Sequence, residues 1–473
     1  MFYIVLFTPI VLSIIAFILN KKFSFFVLKL STIVYLFLSF FIVYLFKIWY
    51  SYKLSIFFSN YNINFSNYNN INSLFILLIA TLAFLIWWYA VYYFKKEFEH
   101  KVIGFSRLKQ YNIFVNLFVF AMLFVASTNN ILVMWIALEA TTIFTTFLIS
   151  FYGVSTSWEA AWKYVILCSV WLTVWLFWIL MLISSWLTSL DFNLITYENV
   201  NPLLVKLSFI FILVWFGTKV WLFPMNSWLP DAHGKASTPV SAFMSSILLP
   251  LALYIIFKLK IIVDILLNTA DFTNNVLLAF WIITLVYSGF ILIYQRHFKR
   301  TLAYSSSENM WILALALWIG SPLALKLWLL HLIAHSFLKT SSFMSVWNVL
   351  LEQKTGKFEK ISDLLKNQSV SSKFIIISIL MLVWVPISPL FISEIWLIYT
   401  LFIKNIWLTF IVIFAFILIF SGMLINFSKL FKKKDGTDTK LIKENFSFNS
   451  IFTPILVTLI MWIWSIVSVL FIF

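Results

Sequence analysis

The chain has 473 residues, of which 63% are hydrophobic, 20% aromatic and only 11% charged, and its mean hydropathy is +1.00. A soluble domain carries about a quarter charged residues to cover its surface, so a water-soluble fold and a disordered chain are both excluded. A single cysteine, Cys168, excludes a disulfide scaffold, and 33 Lys and Arg against 17 Asp and Glu leave a net charge of +16.

Apolar runs of about 20 residues can cross a bilayer. Fourteen are predicted, near 2–20, 24–46, 73–94, 111–127, 129–150, 162–188, 204–224, 236–257, 276–295, 301–319, 321–349, 372–402, 405–428 and 450–472. Backbone polar groups find no water in hydrocarbon and no strand alternation is present, so each run is helical and the fold is an all-α polytopic membrane bundle. The first run lacks a basic start and a small-residue cleavage site, which reads as a span and not a signal peptide. Odd-numbered loops with their span borders hold 22 Lys and Arg, and even-numbered loops with theirs six. The positive-inside rule therefore places the odd loops on the cytoplasmic side and both termini outside. The basic surplus is an orientation signal; its dispersal over short loops speaks against nucleic-acid binding.

Five basic residues remain within or beside the spans: Lys29, Lys163, Lys219, Lys326 and Lys339. Acidic residues there are Glu139, Glu308 and Glu394, with Glu159 near an end. An ionisable group at a helix centre costs about 2.5–3.5 kcal/mol on insertion scales, so such groups mark an ion or proton path. Glu139 lies in MWIALEATTIFTTFLI, about 15 Å into the fifth span, too deep to snorkel easily. Lys219 stands five residues before Pro224 in the seventh span, and a proline there breaks the helix and frees carbonyls beside the lysine. Asp231 and His233 fall in the loop that reconnects the chain. In the eleventh span His331, His335 and Lys339 recur every four residues and stack on one helix face. A metal pair is disfavoured because no carboxylate or thiol completes it and a lysine adjoins it. A proton wire and histidines bonded to neighbouring helices are the two remaining readings. The twelfth span repeats the break: Pro386 and Pro389 precede Glu394. Paired broken helices signal inverted repeats, assigned to 111–257 and 276–428, with 1–104 ahead and 450–472 behind. No nucleotide, haem or iron–sulfur motif is present, so no cofactor is expected in this chain.

The strings LEATTIFTTFL, SWEAAWKYVILCSV, FGTKVWLFPMNSWLPDAHGKASTPVSA, RHFKRTLAYSSSENM and HLIAHSFLKTSSF resemble, in order, the signature regions of antiporter-like membrane subunits. That superfamily includes proton-pumping subunits of respiratory complex I, Mrp-type sodium/proton antiporter subunits and membrane subunits of energy-converting hydrogenases. The resemblance covers about residues 105–400 and implies fourteen helices, two inverted five-helix repeats and a central hydrophilic axis. It implies that Glu139 and Lys219 form a coupled pair, that Lys163 is the lysine of the sixth span, that His331, His335 and Lys339 connect the halves, and that Glu394 ends the second half-channel. Glu394 in the twelfth span resembles both the complex I subunit 4 type and the hydrogenase-4 type, while LEATT, EAAWKYVILCSV, PMNSWLPDAH and the Glu308 of AYSSSENM resemble the hydrogenase-4 type more than subunit 4. Two departures stand out: Pro250 where subunit 4 carries a lysine, with Lys258 too near the span end to replace it, and Asn226 in place of the histidine of PMHxWLP.

The expected function is proton translocation within a hydrogenase-4 or complex I-like assembly, driven by redox chemistry in peripheral partner subunits through other membrane subunits. The competing readings are an Mrp-type sodium/proton antiporter subunit and a scaffold whose axis no longer conducts. The expected location is a bacterial cytoplasmic membrane, with a mitochondrial inner membrane as the alternative. The ratio of 9 Gly to 23 Trp is inverted for a helix bundle. Trp171, Trp175, Trp178, Trp311, Trp318 and Trp347 stand where the related proteins usually have glycine, which suggests UGA codons that the host reads as glycine.

Overall fold

The computed structural model describes residues 2–48, 54–58, 61–65, 70–184, 200–353, 355–361, 369–382, 388–431, 454, 456–459 and 463. They are almost all helical. The only paired strands among them, Leu54–Phe58 and Tyr61–Phe65, form an antiparallel hairpin in register Leu54 with Phe65. Eight of the described helices are long and apolar enough to cross a membrane.

The chain divides into two compact units. The first comprises Met1–Lys219, Lys235–Phe243 and Leu251–Thr273, and the second Val220–Gly234, Met244–Pro250 and Asn274–Phe473. In the first unit α1 (Phe2–Ile18), α2 (Ser24–Ile48), α3 (Asn70–Glu99) and α4 (Phe105–Ser127) pack side by side. Asparagines on one face of α4 hold them: Asn112 donates to the Ser24 carbonyl at 2.8 Å and Asn116 accepts from the Tyr35 hydroxyl at 2.9 Å. Buried polar groups so satisfied fix helix register in an otherwise greasy contact. Next come α5 (Ile131–Ile149), α6 (Ser155–Ser184) and α7 (Pro202–Val220).

The predicted break in the seventh span is present. α7 stops at Val220, four residues before Pro224, and the chain resumes as the short α8 (Leu229–Lys235). Asp231 and His233 lie on that helix, so the expectation of a loop is corrected; Pro230 near its start pre-sets a helical φ. α9 (Thr238–Phe243) passes through a π turn at Met244–Leu248 into α10 (Leu249–Leu267). Pro250 accounts for the π turn. It has no N–H for the carbonyl four residues back, that of Ser246, and the freed oxygen accepts from Ser336 at 2.8 Å instead. The helix also runs well past the predicted end at 257, so Lys258 and Lys260 are helical and not loop residues. Polar partners keep that extension folded: Lys258 donates to Asn129 at 3.3 Å, and Lys260 pairs with Asp264, which Thr273 also meets.

The second unit contains α11 (Asp271–Tyr294, from Asn274), α12 (Phe298–Ile319), α13 (Pro322–Gln353), α14 (Ser369–Leu382), α15 (Pro389–Lys404) and α16 (Ile406–Ser428). α13 is its hub and packs on α12, α14, α15 and the π turn. α11 and α16 cross closely at Gly422, where a Cβ would come within 3.0 Å of the Ile293 nitrogen. The twelfth span is interrupted at Ser388, whose extended backbone caps α15 from Pro389; residues 383–387 lie outside the described residues. Pro386 and most of the fourteenth predicted span lie outside the described residues.

Asn130 caps α5, accepting from Leu132 N at 3.0 Å and Val133 N at 3.1 Å. Asn130→Ala is expected to lower stability by about 1 kcal/mol, read by chemical denaturation of the detergent-solubilised protein, with Asn130→Asp close to the parent.

Candidate functional site

Of the five lysines singled out by position, the structure buries two. Lys219 and Lys339 are 1% and 0% exposed, whereas Lys29, Lys163 and Lys326 are exposed. Each buried ammonium is held in the same manner, by a hydroxyl on a neighbouring helix.

In the first unit Lys219, in the last turn of α7, donates to the Thr142 hydroxyl of α5. Glu139 is three residues before Thr142, so carboxylate and hydroxyl share a side of α5. Glu139 is partly buried, faces the same hydroxyl, and its charge acts on Lys219. One of its oxygens is buried without a hydrogen-bond partner among the described residues, a costly state for a carboxylate unless a mobile donor comes to it. α6 closes the site from a third side. The Tyr164 ring lies 5.5 Å from the ammonium, its hydroxyl accepts from Thr145 at 2.9 Å, and buried Cys168 follows one turn later. Lys163 is not brought to this pair. Adjacent residues on a helix point about 100° apart, so with Tyr164 turned inward Lys163 turns outward and pairs with Glu159 at 2.7 Å.

In the second unit Lys339 donates to the Leu302 carbonyl at 3.0 Å and to the Ser305 hydroxyl. His331 and His335 are 0% exposed on the same face of α13. His331 Nδ1 meets Ser393 Oγ at 2.8 Å, next to Glu394 on α15, which is 2% exposed. Neither ring nitrogen of His335 has a hydrogen-bond partner among the described residues, and the hydroxyl of Ser246 in the π turn is likewise unsatisfied. Ser336, the next residue on α13, bonds the Ser246 carbonyl at 2.8 Å and joins α13 to the π turn. Asp231 pairs with Arg300, and His233 stacks on Phe343 at 5.4 Å. Among the described residues no group of three His, Cys, Asp or Glu could hold a metal.

Thr142, Tyr164, Ser305 and Ser246 were not among the residues singled out from the sequence. The signal for two of them is a hydroxyl three residues from a carboxylate on a membrane helix.

Residues 128–421, more than half the chain, match the family described as NADH:quinone oxidoreductase/Mrp antiporter, transmembrane. The chain belongs to this family. It is an antiporter-like, multi-pass membrane subunit, as its motifs imply. It is 31% identical over 335 residues to a hydrogenase-4 component F homolog of Methylacidiphilum infernorum, covering 69% of this chain and 70% of that protein. To an NAD(P)H-quinone oxidoreductase chain 4-3 of Nostoc it is 30% identical over 156 residues, 33% of this chain and 28% of the other. A chain of the membrane-bound sulfane sulfur reductase, an archaeal respiratory membrane complex, superposes with a TM-score of 0.83 at 20% identity, covering 99% of this chain and 95% of that one. That likeness shows the fold.

Thr142→Val keeps the side-chain shape and removes the acceptor of the Lys219 ammonium. It is expected to destabilise the protein by about 1–3 kcal/mol, with Thr142→Ser near the parent, read by thermal unfolding in detergent.

Proposed function

We propose that this subunit translocates protons within a hydrogenase-4 or complex I-like assembly, driven by redox chemistry in partner subunits. The observation that supports it is the buried Lys219, bonded to Thr142 with Glu139 acting on its charge. An ammonium out of water is stable only beside compensating charge or dipoles. While Glu139 is ionised and near, Lys219 holds its proton; when that charge is neutralised or moves, the proton is released. His331, His335, Lys339 and Glu394 form the second part of the relay, with His335 exchanging protons through water. Lys163, exposed beside Glu159, is assigned to the face that meets a neighbouring membrane subunit, which would cover a charge costly to leave in lipid. The chain is read as one membrane domain with repeats at 111–257 and 276–428 between 1–104 and 450–472, both termini outside a bacterial cytoplasmic membrane. The breaks before Pro224 and Pro389 accord with that division. The redox cofactors belong to partner subunits in this reading.

The breadth of the family keeps an Mrp-type sodium/proton antiporter subunit as the second reading. Inverted vesicles that hold the assembled complex, given NADH or reduced viologen, separate the two. Glu139→Gln is expected to lower proton uptake by at least about a hundredfold with assembly intact. Unchanged uptake in that variant overturns the role, and sodium-dependent proton exchange without any donor replaces it with the second reading.

A further inference from the structure

Glu308 has no place in the relay described so far, yet it is a carboxylate 5% exposed on α12. Lys339 of α13 donates to the Leu302 carbonyl and the Ser305 hydroxyl, both on α12. Ser305 is three residues before Glu308, so hydroxyl and carboxylate share one side of that helix. The charges of Glu308 and Lys339 act on one another, and that of Lys339 also reaches His335 and His233. The first unit has the same construction. There Lys219 donates to Thr142, three residues after Glu139. In both units a buried lysine donates to a hydroxyl on a neighbouring helix, and a carboxylate on that helix stands three residues from the hydroxyl. Only the direction of the step differs, forward in one and backward in the other. The Ser305 hydroxyl accepts from Lys339 and donates to the Leu302 carbonyl at 3.1 Å, so it seats the ammonium about one turn from Glu308 without bridging to the carboxylate. Asn309 holds this segment in place by donating to the Ser305 carbonyl at 2.7 Å.

We infer that Glu308 is a proton-exchanging residue of the translocation path, forming a second acid–lysine pair with Lys339, which the Leu302 carbonyl and the Ser305 hydroxyl seat beside it on α12. The inference rests on the proton-translocating reading above. In the same vesicles, with the same donors, Glu308→Gln is expected to lower proton uptake at least about tenfold and Glu308→Asp to recover most of it. Ser305→Ala keeps both charges and removes one of the two acceptors that seat Lys339 beside Glu308; it is expected to slow uptake several-fold with assembly intact. An unchanged rate in Ser305→Ala overturns the inference, whatever Glu308→Gln does to folding. If Glu139→Gln blocks uptake and Glu308→Gln does not, this pair is wrong and the first stands. If neither substitution affects uptake, the translocating reading itself fails.

The backbone at the end of α7 supports a second, independent inference. Trp221, directly after Val220, has φ +74° and is 0% exposed. The left-handed region at a helix C-terminus favours glycine, tolerates asparagine, and is an outlier for a bulky residue. In the same chain Gly320 fills the same position after α12 with φ +68°, and Asn268 follows α10 with φ +54°. Buried Trp281 and Trp311 carry indole N–H groups with no hydrogen-bond partner among the described residues, where a buried indole usually finds one. The side chains of Trp171, Trp175 and Trp178 lie outside the described residues. We propose that Trp221 is encoded by UGA and is glycine in the protein its host makes. Codon sequencing with mass spectrometry of the native protein tests this. UGA at codon 221 and a glycine-containing peptide are expected; UGG there, or a tryptophan-containing peptide, overturns it.

Discussion

An ammonium group taken out of water is the constraint around which both units are organised. Removing an ion from water costs several kcal/mol even after the protein relaxes, and the cost is met only by close polar partners. Lys219 and Lys339 are both buried, and neither relies on a carboxylate alone. Each donates to a hydroxyl first, and the acid acts from one step further along the same helix. A direct buried ion pair would hold the proton on the lysine more firmly than a neutral hydroxyl does. In the first unit the Thr142 hydroxyl stands between ammonium and acid, which keeps the ion solvated by protein while leaving it sensitive to the acid's charge.

The helix interruptions serve the same end. Proline at 224 ends α7 just past Lys219, and Pro250 frees the Ser246 carbonyl for Ser336. Pro389 starts α15 five residues ahead of Glu394. In each case a residue that cannot donate its backbone hydrogen bond leaves irregular backbone among polar side chains, a combination that membrane proteins admit only where protein or water lines it. Pro250, which from the sequence stands in place of a lysine, thus brings hydroxyls where a charge is missing.

The class of fold was legible because hydropathy and the asymmetry of Lys and Arg report directly on the bilayer. Glu139, Lys219, His331, His335 and Glu394 were legible because an ionisable group in an apolar run has no cheap explanation. Lys163 and Lys339 look alike by that criterion, and the structure separates them: one register position on α6 turns Lys163 outward, while α13 buries Lys339 on every side. Helix phase relative to neighbours is a tertiary property that a single span does not encode. The hydroxyl partners were invisible for a related reason, since Ser and Thr occur throughout these helices and usually bond their own backbone, as Ser342 does with Leu338. Lys258 was misplaced because charge near a span end reads as loop, whereas Asn129 holds it, and Asp264 holds the following Lys260, within a longer helix.

The termination of α7 directly beyond Lys219 has an electrostatic consequence of its own. The unpaired carbonyls at a helix C-terminus carry a partial negative charge that falls off within the last turn, where this lysine sits. That field comes from peptide dipoles, which have no proton to gain or lose. It sets a fixed floor under the ammonium, and Glu139 supplies the adjustable part above it. A site built this way responds to the glutamate by degrees without abandoning a bare cation in the bundle when the glutamate is neutral.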